Sequence, residues 1–365
     1  MRPDNMGDLI MSGPAIRALK HTFDAHITVF TSSMGKLITP YMDEIDETID
    51  FDLPWVKTDK ITENGAIQNL VDVFKARRFD AAVLFTVYSQ NPLPTAMLAY
   101  WAGIPKVLAY CRENPYGLLT HWVPDEEPYR FIRHQVRRDL DLVKTIGAVP
   151  TCENLCLHIN DVWDKVAQKL KASGVKPDQL WLILHVGVSE AKRQYPFDLW
   201  VETGQKIVDE LNAQLLLTGS ASEKQLTDQL QYAIGKNSYS IAGLLDVEEF
   251  ICLVQHSSLM VSVNTGTTHI AAAVGTPVVV LYAQTNPQHT PWKASCKVLQ
   301  IPVAKETRSK NEVIQYVNRK LYNKKIGMPQ PGDIILAVKE LLTSTDLSDQ
   351  QFHETPDQNQ EIATS

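Results

Sequence analysis

The chain has 365 residues, 44% of them hydrophobic and 21% charged, which suits two domains of ordinary globular composition, each with a sizeable core. Its formal net charge of −7 argues against a nucleic-acid partner held by bulk positive charge. Five cysteines make no disulfide scaffold at this length. Cys152 and Cys156 lack a second pair at metal-ligand spacing, so all five are read as buried or incidental thiols of a reducing cytoplasm.

The N-terminus is polar and lacks the apolar stretch of a signal peptide. Residues 4–8, Asp-Asn-Met-Gly-Asp, read as the loop after a first parallel strand, followed by a helix over 11–23 with Pro14 in its first turns. No apolar strand precedes that loop. The first strand of the N-terminal domain is therefore expected to be missing, and a short in-frame apolar stretch is expected in the coding sequence just upstream. Apolar runs at 26–31, 81–86 and 106–110 predict strands, and amphipathic patterns at 65–77, 94–103 and 130–146 predict helices. After a Pro-containing join between 147 and 176 the alternation restarts. Strands are predicted at 181–186, 214–218, 259–263 and 277–282, and helices at 197–212, 222–234, 247–256 and 267–274. Continuous apolar strands separated by amphipathic helices predict an α/β protein with two Rossmann-like domains, each a parallel sheet covered on both faces.

Residues 250–292 contain no Asp, Glu, Lys or Arg, but their apolar runs are too short for a membrane span of ~20 residues and are interrupted by Asn264, Thr265, Gly275 and Pro277. They read as a buried series of strand, turn, helix and strand. Residues 305–325 carry seven basic residues against Glu306 and Glu312. Two readings stand for that segment: a solvated charged helix face, or contact with an anionic acceptor or membrane surface. Residues 344–365 hold five acidic residues and no Lys or Arg, and are expected to form a disordered tail.

Four segments could carry chemistry. The strand ending at Val263 runs through Asn264-Thr265-Gly266 into a helix whose first turn holds Thr267, Thr268 and His269. Small residues and free helix N–H groups suit a phosphate, or make an ordinary capped turn. Lys192 and Arg193 follow the first strand of the second series, at the sheet edge where open α/β folds bind ligands, and would face a diphosphate or solvent. Glu223 follows the next strand and would accept from ribose hydroxyls or favour the following helix N-terminus. Asp8 is either a first-turn helix charge or a general base facing a cleft. In the first half, Arg112 follows a strand, and spacings of three and four put Arg130, Arg133, His134 and Arg137 on one face of the predicted 130–146 helix. That face would meet an anionic acceptor or stay solvated. A dehydrogenase is disfavoured, because no Gly-x-Gly-x-x-Gly follows a strand with an acidic residue ~20 positions on.

Residues 2–19, Arg-Pro-Asp-Asn-Met-Gly-Asp-Leu-Ile-Met-Ser-Gly-Pro-Ala-Ile-Arg-Ala-Leu, resemble the opening of glycosyltransferase family 9, the ADP-heptose:lipopolysaccharide heptosyltransferases. The segments around Lys192, Gly219 and 264–287 match in the same order, and the resemblance spans 2–292 and resumes weakly at 330–342. It implies a GT-B fold, with an acceptor-side domain over 1–160 and a nucleotide-sugar domain over 161–343. It further implies an inverting transfer, without metal or cofactor, from a nucleoside diphosphate sugar to a cell-envelope glycan or glycolipid. Asp8 matches the family's general base, and Lys192 or Arg193 its phosphate-facing cation. Thr265, Gly266, Thr267, Thr268 and His269 match the diphosphate turn, and Glu223 the ribose carboxylate. Asn264 stands where that turn often has Asp, and Ala-Gln-Thr-Asn-Pro at 283–287 replaces the more usual Gly-Pro-Thr-Asp-Pro. Arg112, Arg130 and Arg133 are the acceptor-side candidates. The implied partners are a nucleotide-sugar and a glycan or glycolipid, with no nucleic acid, and the implied place is the cytoplasm with peripheral contact at the inner face of its membrane. Another GT-B activity, such as a different donor or an epimerase, and a nucleotide-binding protein without catalysis are the competing readings.

Overall fold

The computed structural model describes residues 1–56, 63, 65–322 and 324–353, with side chains described as far as residue 344. The N-terminal lobe contains α1 (Met6–Phe23), β1 (Thr28–Thr31), α2 (Ser33–Lys36), β2 (Glu47–Asp50), α3 (Ala66–Arg77), β3 (Ala82–Leu84), α4 (Leu93–Trp101), β4 (Val107–Cys111), β5 (His121–Pro124) and α5 (Gln135–Lys144). Its strands fall into two parallel groups, β1-β2 and β3-β4-β5. Met1 and Arg2 lie between the groups. The Met1 amino group donates to the Val83 carbonyl (2.6 Å) and the Met1 carbonyl accepts from Phe85 N–H (3.0 Å). On the other side Arg2 N–H donates to the Phe30 carbonyl (2.9 Å), and Arg2 forms a parallel bridge with Thr31. The position expected to lack a strand is thus held by a two-residue stub. Beside the stub, toward the N-terminal ends of the strands, a cavity of about 880 Å³ opens among Ile16, Val29, Phe30, Val83 and Leu108.

The C-terminal lobe contains α6 (Trp163–Ala172), β6 (Trp181–His185), α7 (Phe197–Leu211), β7 (Gln214–Thr218), α8 (Lys224–Ile234), β8 (Ser238–Ser240), α9 (Val247–His256), β9 (Met260–Val263), α10 (Gly266–Val274), β10 (Val278–Ala283), β11 (Cys296–Ile301), α11 (Glu312–Leu321) and α12 (Pro331–His353). Six parallel strands run in the order β11-β10-β9-β6-β7-β8. β6, β7, β9 and β10 are buried along their whole length, as their unbroken apolar runs require when helices cover both faces. Full burial of each Leu, Ile or Val there contributes roughly 1.5–3 kcal/mol. The chain builds outward from β6 through β7 to β8, then returns to β9, so the order reverses between β6 and β9. The loops leaving those two strands therefore open a crevice at the carboxyl edge of the sheet.

Three helical expectations change. α1 begins at Met6, so Pro14 lies well inside it rather than in its first turns. The helix expected over 130–146 begins only at Gln135, so Arg130 and Arg133 share no helical face with Arg137. His134 is instead the N-cap, extended at ψ 145°, and its Nδ1 accepts from Val136 N–H (3.2 Å). α12 runs on to His353, into the segment read as a tail, while residues 354–365 lie outside the described residues. Of the cysteines, Cys111 and Cys252 are buried, Cys152 is exposed, and Cys156 and Cys296 are half-buried.

A buried ionic cluster fixes the cleft side of the N-terminal lobe. The fully buried Arg138 guanidinium donates to both Asp125 oxygens (2.9 and 2.8 Å), to Glu127 Oε2 (2.7 Å) and to the Thr86 carbonyl (2.9 Å). Glu127, itself fully buried, also accepts from Arg133 N–H (2.6 Å) and from Gln288 of the C-terminal lobe (3.1 Å). Arg138→Met would strand two buried carboxylates, so it should lower unfolding free energy by about 3–5 kcal/mol in urea titrations. A loss near zero would mean that the cluster is not desolvated.

Candidate active site

The two lobes meet where two helices begin. The N-termini of α1 and α10 approach so closely that a Cβ built on Gly7 would lie 2.8 Å from His269 Cδ2 and 2.9 Å from Gly266 Cα. A Cβ on Gly266 would lie 3.3 Å from Gly7 N. Glycine is required at this crossing because backbone meets backbone. Asp8 stands in the first turn of α1, directly beside it.

Asp8 Oδ1 is 3.2 Å from Arg2 Nη2 and 3.8 Å from His289 Nε2. Arg2 is 1% exposed, and its Nε also pairs with Asp4 Oδ2 at 3.2 Å. Gln90 donates to the other Asp4 oxygen, and Asp139 lies behind the pair, accepting from Ser12 Oγ and Gln135 Nε2 (both 2.7 Å). Burial pushes the Asp139 carboxyl up to about 6, against the opposing effect of Arg2 and the Ser12 hydrogen bond. Neither Arg2 nor His289 was singled out by sequence reasoning. Arg2 sits in the quoted N-terminal motif, but its role depends on the fold around it. His289 faces Asp8 only because the loop after β10 crosses to the N-terminal lobe.

On the opposite wall α10 starts at Gly266 with Thr265 as N-cap, and Thr265 makes no side-chain cap bond. The Thr265 hydroxyl instead meets Thr267 Oγ1 (2.8 Å), and Thr268 Oγ1 bonds back to the Thr265 carbonyl (2.9 Å). The first N–H groups of α10 thus lack a capping side chain at the positive end of the helix. Asn264 is structural: its Oδ1 accepts from Ala283 N–H (3.0 Å), tying the ends of β9 and β10 together. A neutral amide does this as well as a carboxylate would, which explains Asn at this place. The Asn264 carbonyl accepts from Arg193 Nη1 (2.9 Å), so Arg193 crosses from the loop after β6 to the loop after β9. Glu190 pairs with both Arg193 and Lys192. Arg193 Nε and His269 Nδ1 are both buried without a hydrogen-bond partner among the described residues. Burial, reinforced by His289, His134 and Arg193, holds His269 well below the usual imidazole range, so it is neutral at pH 7.

Glu223 serves as a cap and retains a free oxygen. Its Oε2 accepts from Ser220 N–H (2.7 Å) and Oγ (2.9 Å), while Oε1 accepts no hydrogen bond from the described residues. A Cβ on Gly187 would fall 1.8 Å from that Oε1, so the carboxylate lies across a glycine at the sheet edge. The acceptor-side arginines are largely engaged within the lobe. Arg112 donates to the Tyr88 and Glu127 carbonyls (both 2.7 Å), and Arg133 pairs with Glu127 (3.1 Å) and Asp141 (2.9 Å). Arg130 is exposed and paired with Glu126. The structure therefore brings together Asp8, Arg193, Asn264, Thr265, Gly266, Thr267, Thr268 and His269, with Lys192 alongside Arg193 on Glu190. It does not join Arg112, Arg130 and Arg133 into one exposed face.

Residues 68–321 match the sequence profile of glycosyltransferase family 9 (heptosyltransferase). Lipopolysaccharide heptosyltransferase 2 of Escherichia coli K12 is 24% identical over 305 residues, covering 79% of this chain and 83% of that one. The glycosyl transferase family 9 structure from Veillonella parvula superposes with a TM-score of 0.75 at 17% identity, covering 94% and 96% of the two chains. The E. coli ADP-heptose lps heptosyltransferase II structure superposes at 0.70 with 20% identity, covering 94% and 98%. These likenesses give the two facing lobes the GT-B fold.

Two outcomes follow from the geometry. Gly7→Ala should push the α1 and α10 termini apart and cost about 1–3 kcal/mol of stability, read by thermal unfolding. An unchanged melting temperature would mean that the two helix ends do not pack as described. The raised carboxyl of Asp139 contributes a falling limb to the stability profile as pH rises from about 4 through 6, because the folded state must give up a proton that it holds more tightly than the unfolded chain. Asp139→Asn should flatten that limb, so its stability relative to wild type should rise by up to about 3 kcal/mol between pH 4 and 7. Parallel profiles would contradict the assignment.

Proposed function

Because the chain belongs to glycosyltransferase family 9, we propose that this heptosyltransferase-like enzyme of lipopolysaccharide assembly moves a heptose or related sugar from ADP to a lipopolysaccharide acceptor, with inversion and without a metal ion. The relatives it resembles are lipopolysaccharide heptosyltransferases, and one is titled for ADP-heptose. The observation that carries the reading is the Gly7–Gly266 crossing, which sets a carboxylate on one wall against an open helix N-terminus on the other.

In this reading the diphosphate lies on the α10 N-terminus. The N–H groups of Gly266 and Thr267, the hydroxyls of Thr265, Thr267 and Thr268, and the His269 ring supply hydrogen bonds. Lys192 and Arg193 supply the positive charge that a departing diphosphate needs. Arg193 is the better placed, since it already reaches Asn264, and its buried Nε is unpartnered. The free Oε1 of Glu223 accepts from the ribose hydroxyls. Asp8 takes the proton of the acceptor hydroxyl as the oxygen attacks the anomeric carbon. The new C–O bond forms as the bond to the diphosphate breaks, ADP departs with the electron pair, and the proton rests on Asp8. Arg2 holds the base in register with the incoming hydroxyl. No helix among the described residues is long and apolar enough to cross a membrane, and the proposal adds only peripheral contact at the face where the glycolipid acceptor is exposed.

Calorimetry with ADP, UDP, GDP and NAD, combined with transfer assays, tests the reading. ADP should bind selectively, and Lys192→Ala/Arg193→Ala should weaken it about 10- to 100-fold. Asp8→Ala should keep ADP affinity but lose about 10²- to 10⁴-fold in turnover. Selective binding of UDP would change the donor, and ADP binding with no transfer to truncated lipopolysaccharide would leave a nucleotide-binding protein.

A further inference from the structure

The loop after β10 delivers His289 to the base. Its Nε2 lies 3.8 Å from Asp8 Oδ1, the oxygen that Arg2 Nη2 approaches at 3.2 Å. We propose that His289 is a positioning residue: as the lobes close on their substrates it donates its Nε2–H to Asp8 Oδ1, so that Oδ2 faces the acceptor hydroxyl. The inference rests on the glycosyltransferase reading and adds to it how the C-terminal lobe controls a base carried by the other lobe.

The two oxygens of Asp8 are unequal. Oδ1 is flanked by Arg2 from the N-terminal lobe and by His289 from the C-terminal lobe, while Oδ2 accepts no hydrogen bond from the described residues. A carboxylate pinned through one oxygen presents the other in a fixed direction, and proton transfer to it then needs no search over orientations.

The ring is aimed by its neighbours in the chain. Asn286 Oδ1 accepts from Gln288 N–H (2.9 Å), which leaves Asn286 Nδ2 3.3 Å from His289 Nε2. On either side the loop is anchored to the N-terminal lobe. Gln288 donates to buried Glu127 (3.1 Å), its carbonyl accepts from Gln135 N–H (2.9 Å), and the Thr290 carbonyl accepts from His134 Nε2 (2.7 Å). An imidazole between two anchored residues loses little freedom when it engages Asp8. At rest the Asp8 contact is too long for a hydrogen bond, and a loop movement of roughly 1 Å closes it. Catalytic hydrogen bonds are often long in the unliganded protein and tighten when substrates bind. The ring is half-buried and its Nδ1 bonds nothing among the described residues, so exchange with solvent can carry the ring proton to Nε2.

Charge makes histidine the apt donor. Burial, reinforced by Arg2, His134 and Arg193, holds His289 well below the usual imidazole range, so it meets Asp8 as a neutral ring. A second cation beside Arg2 would stabilise the carboxylate further and weaken it as a base. A neutral N–H orients the carboxylate without adding charge.

The test is steady-state transfer by the full chain, with ADP-heptose as donor and an oligosaccharide from heptose-deficient lipopolysaccharide as acceptor. His289→Phe, which keeps a ring but has no nitrogen, should lower kcat about 10- to 100-fold. Donor KM and ADP affinity should stay within about 3-fold, because the lost contact is made to the base and not to the donor. His289→Gln, which retains an N–H donor, should recover most of the loss. In an Asp8→Ala background His289→Phe should cost less than about 2-fold more, because the residue acts through the carboxylate. Equal losses in the two backgrounds, or a His289→Phe kcat within about 2-fold of wild type, would overturn the positioning role. A wild type that binds ADP but transfers no sugar would strike the glycosyltransferase reading instead. Nitrogen-15 spectra of the ADP-loaded protein would then still decide the contact: Asp8→Asn should shift the His289 imidazole resonances, and unchanged resonances would refute it.

Discussion

One buried guanidinium organises the N-terminal half of the cleft. Arg2 is nearly inaccessible to solvent, and its backbone and side chain do separate work. Its N–H bonds the Phe30 carbonyl, which with the two Met1 contacts joins β1 to β3 across a gap otherwise open to a large cavity. Its side chain pairs with Asp4 and Asp8 just where the chain turns into α1. A charge buried this deeply needs its carboxylates close by, which ties Asp4 and Asp8 to Arg2, although Arg2 Nε and Nη1 make no hydrogen bond among the described residues.

The electrostatics of the two walls then divide cleanly. Both α1 and α10 point their positive ends at the interface, an arrangement unfavourable in itself. On the α1 side Asp4 and Asp8 offset it. On the α10 side the cap is an uncharged Thr and the turn residue is Asn264, and the one carboxylate close by, Glu190, is shared between Lys192 and Arg193. The imidazoles there do not change the balance, because burial keeps both His269 and His289 well below the usual imidazole range. One wall therefore carries carboxylates and the other an uncapped helix N-terminus with Arg193 beside it, about one glycine contact apart. The α10 wall lies where the strand order of the C-terminal sheet reverses, so the topology of that sheet delivers its loop to the cleft.

The legible parts of the sequence were those fixed by local pattern. The runs at 181–185, 214–218, 260–263 and 278–283 are strands buried on both faces, and an unbroken apolar stretch has few other uses. β2, β5, β8 and β11 escaped because they carry polar or alternating residues and sit at the edges of their strand groups. The helix start at Gln135 was hidden for another reason. Residues 130–134 have helical spacing, but the Glu127 carboxylate takes the Arg133 N–H, and the Gln288 carbonyl, more than a hundred residues away in sequence, takes the Gln135 N–H where the helix begins. The strand, small-residue turn and helix through Gly266 were readable because they are contiguous in the chain. The partners of Asp8 were not, since His289 comes from the other lobe.

The loop that follows β10 draws these parts together. Gln288 bonds Glu127 through its side chain and accepts from Gln135 N–H through its carbonyl (2.9 Å). His289 reaches Asp8, and Thr290 bonds His134. Trp292 packs on His134 at 4.6 Å between ring centroids and donates to the Glu153 carbonyl (2.8 Å). Four of five consecutive side chains or carbonyls of a C-terminal-lobe loop are thus spent on the N-terminal lobe. β10 ends where Asn264 ties it to the turn that opens α10, so that turn and the interlobe loop share one support. The α10 turn and the loop that carries His289 to Asp8 are thus attached to the same strand end.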